Sequence, residues 1–295
     1  MKGYLIAFFE EFAYPAPSRE VLLTAYEQIV TAPVTASRFA ALLEAYDRDM
    51  NLDYAALIAE MTALCEGVDL HPYTGHTVLF VCLSRRLHER YREQGISDDI
   101  WHDSMLDLRY KLIECHLVHG VWGTFVAKWN DGFFNMTRFA LGRLQFEIRP
   151  FGFTYEKNGV TLTPGSPVLN THIPRSGQPL TRESVWTSYA LAADFFKDRL
   201  QGAPVAFYCS SWLLFDKHRE MLKPTSNIYR FISDFDVVDT GAYKDYTEVW
   251  RLFDRHYKGD PDELPADSSL RRAYVDLIKK GEPTGWGKGI LLYNK

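Results

Sequence analysis

The stretch Val168-Leu-Asn-Thr-His-Ile-Pro-Arg-Ser-Gly-Gln-Pro-Leu-Thr181 decides how the rest of the chain is read. It runs as a short apolar strand, then a tight loop of Pro, Arg, Ser and Gly, then a helix start. A helix N-terminus after such a loop offers backbone N–H groups and the positive end of the peptide dipole, both suited to a phosphate. Arg175 adds a charge, and His172 stands where the strand empties into the loop. The pattern fits a phosphate-holding turn with an ionisable group beside it. It also fits an ordinary strand-to-helix crossover in an α/β layer.

The neighbouring text alternates between the two kinds of element. Residues 182–200 have amphipathic helical spacing, and Val205-Ala-Phe-Tyr-Cys-Ser-Ser-Trp-Leu-Leu214 reads as a buried strand. Upstream, Leu144-Gln-Phe-Glu-Ile148 alternates apolar and polar as a half-buried strand does. Lys157-Asn158-Gly159 separates two short β-like runs and predicts a hairpin turn. Downstream, strands are expected over 235–238 and 290–293, and helices over 217–222, 228–231, 246–253 and 270–280.

Residues 18–129 have a different character. Their apolar residues recur at helical spacing, as in Val21, Leu22, Ala25, Tyr26 and Ile29. A second helix carries Phe39, Leu42, Leu43 and Tyr46, and a third runs from about Tyr54 to a C-cap at Gly67. A fourth covers residues 74–95, apolar first and basic afterwards. Ser97 caps a fifth, with Asp98 and Asp99 in its first turn, which ends near Gly120 or Gly123. Asn130-Asp131-Gly132 marks a turn. The expectation is an α+β, mixed α/β chain: a helical N-terminal domain over 1–129, then a sheet flanked by helices over 130–295.

Composition supports that division. A chain of 295 residues suits two domains, and 46% hydrophobic with 15% aromatic residues suffices for sizeable cores. The net charge of −5 argues against a nucleic-acid partner. Residues 1–66 carry four Lys or Arg against ten Asp or Glu, so the remainder is near neutral and can receive an anion. Cys65, Cys82, Cys115 and Cys209 lack paired spacing, which predicts free thiols in a reducing cytoplasm. The apolar run at the start is too short for a signal peptide, and no segment is long enough to span a bilayer.

Several residues bear chemistry. Cys209 and Ser211 lie in an apolar strand, and if that strand neighbours 168–173 they come near His172. A Cys–His pair would be a nucleophile with its base; the other reading of Cys209 is a small core residue. Glu114-Cys115-His116-Leu-Val-His119 invites a metal, but no partner motif has zinc spacing, and packing is the reading taken. Arg138 and Arg143 bind a phosphate or carboxylate, or brace the two domains by ion pairs; Arg149 is read as a brace.

The segments Trp122-Gly-Thr-Phe-Val-Ala-Lys-Trp129, Arg138-Phe-Ala-Leu-Gly-Arg-Leu-Gln-Phe-Glu147, Leu169-Asn-Thr-His-Ile-Pro174 and Cys209-Ser-Ser-Trp-Leu-Leu214, with Ser226-Asn-Ile228, resemble a bacterial family of acyltransferases. That family joins a helical N-terminal domain to a GNAT-like C-terminal domain. The resemblance implies that acyl-CoA or acetyl-CoA is the cosubstrate and that its pantetheine lies between splayed strands at 168–173 and 205–214. It places the pyrophosphate on Arg175, Ser176, Gly177 and Gln178, with Arg143 nearby. Only Arg175 and Gly177 echo the usual Gln/Arg-x-x-Gly-x-Gly/Ala pattern, at a different spacing. It further implies direct attack on the thioester by a small-molecule amine or hydroxyl acceptor, with His172 as base. Tyr229, or Tyr208 in its place, would protonate the leaving thiolate. Two alternatives stand beside this: a non-catalytic ligand-binding module on the same fold, and a Cys209–His172 acyl-enzyme.

Overall fold

Local signals set the ends of the helices. The computed structural model describes residues 1–293. Its first part comprises α1 (Lys2–Glu11), α2 (Ala16–Thr31), α3 (Pro33–Arg48), α4 (Tyr54–Glu66), α5 (Pro72–Glu93) and α6 (Asp98–His119). The Ser97 hydroxyl accepts the Ile100 N–H at the start of α6, and Gly120 ends it at φ 73°, a left-handed turn that glycine makes without strain. Gly67 follows α4 in the right-handed region instead, and Asp69 supplies the positive φ. The sequence reading contained no α1; its Leu5, Phe8 and Phe9 form one buried stripe.

Helix α5 is the centre of this part. Residues 74–84 are all buried, whereas Arg85 is exposed and the basic second half reaches the surface. At Gly75 a Cβ would come within 2.1 Å of the Cys65 sulfur, so α4 packs on α5 at a distance that excludes a side chain. A short turn at Ala127–Asn130 and α7 (Asp131–Phe134) also belong here. The Tyr46 hydroxyl donates to the Phe134 carbonyl at 2.8 Å. The Arg138 guanidinium donates to the Trp129 carbonyl at 2.7 Å and lies 3.8 Å from the Trp129 ring centre. Arg138 is thus held within the helical part. The chain divides into compact units between Phe139 and Ala140.

The second part carries the sheet. Its strands are β1 (Arg138–Leu141), β2 (Leu144–Pro150), β5 (Pro167–His172), β6 (Ala206–Ser211), β7 (Asp236–Ala242) and β8 (Gly285–Leu292), in the order β1-β2-β5-β6-β8-β7. β2–β5, β6–β8 and β7–β8 pair antiparallel, and β5–β6 pair parallel. β3 (Tyr155–Lys157) and β4 (Val160–Leu162) form a separate hairpin. Asn158 and Gly159 both have positive φ, the turn that an Asn-Gly pair favours.

Helix α8 (Arg182–Phe195) covers one face of the sheet, with Tyr189 against Phe146 and Phe207. The other face carries a core of Phe151, Tyr155, Leu162, Val168, Ala206, Tyr208 and Ile290. The short helices α9 (His218–Met221), α10 (Asn227–Ser233) and α11 (Trp250–Phe253), with the longer α12 (Ser269–Lys279), surround another core that includes Leu222, Phe253 and Tyr274.

Candidate active site

The parallel pair β5–β6 positions the site. Its ladder consists of Leu169 opposite Phe207 and Asn170 opposite Tyr208, although the strands continue to His172 and Ser211. The ladder therefore stops two residues before the end of β5 and three before the end of β6. In open α/β sheets ligands enter outside the carboxyl ends of strands.

His172 occupies the last position of β5. In the antiparallel register of β2 and β5, Glu147 stands opposite Asn170. Side chains two residues apart share a face of a strand, so Glu147, Asn170 and His172 converge. His172 Nε2 lies 2.8 Å from Glu147 Oε1, and Asn170 Nδ2 donates to the same oxygen at 2.9 Å. The His172 and Glu147 side chains are 20% and 19% exposed, so a reactant can reach a group whose surroundings are only partly wet. Glu147 and Asn170 were not among the expected site residues. Each is a polar position in an otherwise apolar strand, which is a signal, but only the register unites them.

The expected Cys209–His172 pair is corrected by the pleat. Asn170 and Tyr208 are opposite each other and share a face. His172 is two residues beyond Asn170, whereas Cys209 is one beyond Tyr208, so their side chains leave the sheet on opposite sides. Cys209 is fully buried, and burial pushes its thiol up to about 12. Such a thiol is a poor nucleophile. Ser211 falls on the Cys209 side by the same alternation, and its hydroxyl accepts the Leu213 N–H.

The two tyrosines differ in placement. Tyr229 packs on the core around Leu222 and Phe253, and its backbone N–H donates to Ser226. Tyr208 is on the His172 face of the adjoining strand, with the Arg149 guanidinium 5.0 Å from its ring centre.

The loop after β5 is held from several sides. Arg143 donates to the carbonyls of Gln178 at 3.1 Å and Pro174 at 3.0 Å. It can do so because Gly142, at φ 71°, turns the β1–β2 link close to Ser188, whose hydroxyl accepts the Arg143 N–H. The Ser176 hydroxyl accepts the Gln178 N–H, and Gly177 has φ 78°. Arg175 is ion-paired with Asp254, which also binds Arg271 at 2.6 Å. Thr181 caps α8 by accepting the Ser184 N–H.

Beyond the same end of β6 lies a pocket lined by Trp212, Tyr243, Tyr274 and Thr284 among others. Behind it the buried His218 bridges the Leu213 carbonyl at 2.9 Å and the Tyr274 hydroxyl at 2.7 Å. Burial lowers the pKa of His218, so the neutral ring donates from Nδ1 and accepts at Nε2. In the helical part, Glu114 binds Lys111 at 2.9 Å, His116 stacks on Trp122, and His119 packs against Phe125 and Tyr73. The described residues contain no group of three side chains able to hold a metal ion, and no helix long and apolar enough to cross a membrane.

Comparison with known proteins accounts for both halves. The N-acyltransferase N-terminal domain matches residues 4–136, and the GNAT-like C-terminal domain matches residues 139–291. No curated protein matches in sequence. Among solved structures, an acyltransferase in complex with decanoyl-CoA and teicoplanin is similar with a TM-score of 0.74 and 22% identity, over 98% of this chain and 87% of that one. A mutant acyltransferase in complex with octanoyl-CoA has a TM-score of 0.74 and 23% identity over the same shares. An acyltransferase with CoA and 10C-teicoplanin has a TM-score of 0.72 and 21% identity, again over 98% and 87%. At these identities the likeness establishes the fold.

Proposed function

The chain belongs to the family built on the GNAT-like C-terminal domain, and from that premise we propose that it moves an acyl group from acyl-CoA to a small acceptor bearing an amine or hydroxyl. The observation that carries the reading is a Glu147-bonded His172 at the carboxyl end of β5, where the β5–β6 ladder stops. The space at those strand ends receives the pantetheine. The loop of Arg175, Ser176, Gly177 and Gln178, supported by Arg143, receives the pyrophosphate.

The acceptor attacks the thioester carbonyl directly. His172 takes the proton from the attacking group, the new C–N or C–O bond forms, and the C–S bond breaks. The face that Tyr208 shares with His172 supports it as the group that protonates the leaving thiolate; Tyr229 is the other candidate. Positioning and proton transfer together supply the catalysis. Acyl-CoA complexes of structurally similar acyltransferases support this choice of donor.

A second reading is favoured by one observation. Arg175 is already paired with Asp254, which suits a loop that no longer takes phosphate. The protein would then be a binding module without turnover. A melting panel with CoA, acetyl-CoA, octanoyl-CoA and decanoyl-CoA separates the two. A ligand at about 100 times its dissociation constant stabilises the fold by about 2.7 kcal/mol, a readable shift. No shift with any species at millimolar concentration favours the second reading.

A further inference from the structure

We infer that Glu147 is a positioning residue that fixes the tautomer of His172, so that Nδ1 is the atom that accepts the acceptor's proton. The inference rests on the reading of His172 as base and adds which nitrogen acts and what selects it. Three polar atoms meet at one point: Glu147 Oε1, Asn170 Nδ2 and His172 Nε2. The separations are 2.9 Å from Asn170 Nδ2 to the oxygen, 2.8 Å from His172 Nε2 to the oxygen, and 3.1 Å between the two nitrogens. A carboxylate can only accept, and an amide nitrogen can only donate. Asn170 Nδ2 is also within hydrogen-bonding distance of His172 Nε2, but an Nε2 that accepted there would turn its lone pair on the carboxylate oxygen 2.8 Å away, so both nitrogens direct hydrogens at Oε1. Asn170 completes the arrangement by taking one acceptor direction of that oxygen, leaving the other for the Nε2–H of the ring.

A neutral imidazole with its hydrogen on Nε2 carries its lone pair on Nδ1. When the acceptor attacks, its proton moves to Nδ1 and the ring becomes an imidazolium. The positive charge then lies 2.8 Å from the Glu147 oxygen, which stabilises it without taking the proton. The proton on Nδ1 later passes to the tyrosinate formed when the tyrosine protonates the thiolate, and the neutral Nε2–H form is restored. Glu147 itself needs no contact with substrate. Its position is set by β2, because Glu147 stands opposite Asn170 and so lies level with the ring.

The test uses the full-length protein labelled with ¹⁵N-histidine and needs no substrate. Long-range ¹H–¹⁵N correlation spectra distinguish a ring protonated on Nε2 from one protonated on Nδ1, and His172→Gln assigns the signal. The expected wild-type spectrum shows the Nε2–H form. Glu147→Ala should give a mixture of tautomers, and Glu147→Gln, which keeps an acceptor oxygen, should restore Nε2–H. In turnover, Glu147→Ala should lower kcat by at least about tenfold, short of the roughly 10²–10⁴ expected for loss of a base. KM for acyl-CoA should stay within about twofold, because the carboxylate does not touch the donor. An Nδ1–H ring in the wild type, or an unchanged spectrum in Glu147→Ala, overturns the inference. Failure of the acyl-transfer reading would instead appear as absent turnover with these spectra unaltered.

Discussion

Cys209→Ala tests whether Cys209 lies on the face of the sheet away from His172. The thiol is fully buried on the α8 side of the sheet, away from His172. Burial raises it from 9.0 to about 12. At neutral pH the thiolate is then about one part in 10⁵, roughly a thousandfold less than an ordinary thiol would provide. An acyl-enzyme route through this residue would begin with almost no nucleophile. Replacing Cys209 by alanine removes one sulfur from a packed interior. Transfer and cavity costs for a group of that size come to about 1 kcal/mol. For a folded unit of this length, that lowers the melting midpoint by about 2–4 °C. Turnover of the folded variant should remain within about twofold of wild type, as expected for a residue outside the reacting groups. The assay is acceptor-dependent CoA release, alongside a melting curve and mass spectrometry of wild type after brief exposure to acyl-CoA. Abolished turnover in a folded variant, or an acyl group on Cys209 that passes to acceptor, would refute the reasoning.

His172→Ala should lower turnover by about 10²–10⁴ while the protein still binds acyl-CoA; an unchanged rate would leave the base unassigned. Arg143→Ala removes the hydrogen bonds to the Pro174 and Gln178 carbonyls, and should weaken acyl-CoA binding in calorimetry by more than it lowers kcat. Gly142→Ala should destabilise by at least about 1 kcal/mol, because φ is 71° and the new Cβ would lie 2.9 Å from the Ser188 hydroxyl; denaturant melts read this directly. His218 has a lowered pKa in the folded state, so the unfolded chain binds its proton first and the stability it contributes is lost as pH falls below about 6.5. Denaturant midpoints at pH 7 and 5.5 should therefore differ more in wild type than in His218→Gln.

Features set by one residue type at one position were legible in the sequence. Ser97 and Gly120 mark the ends of α6, and Asn158-Gly159 marks the β3–β4 turn, because capping and positive φ are local demands. The segment ending at His172 is a strand running into a loop and a capped helix, as its composition indicates. Features set by pairing were not legible. Glu147 faces His172 only because β2 and β5 pair antiparallel in one register, and a shift of one residue would turn it to the opposite face. Cys209 and His172 looked like neighbours on adjoining strands; the alternation that separates them depends on which residues stand opposite each other. The run 205–214 read as one strand, but Trp212–Leu214 coil into a turn because Ser211 caps it, and the pocket at Trp212 follows from that change. Arg143 read equally as an anion ligand or a brace, and its guanidinium binds carbonyls of the loop proposed to hold the anion.

Acyl transfer at the carboxyl ends of β5 and β6 is tested most directly by product analysis in a single reaction. Wild-type protein and His172→Ala are each mixed with decanoyl-CoA and a panel of amine and hydroxyl acceptors, aminosugars included. Free CoA thiol and acylated acceptor are then measured together. The account predicts equal amounts of CoA and acylated acceptor from wild type with at least one acceptor, and a rate lower by about 10²–10⁴ with His172→Ala. No acylated product from wild type across the panel and across acyl lengths, with the protein folded, would contradict it.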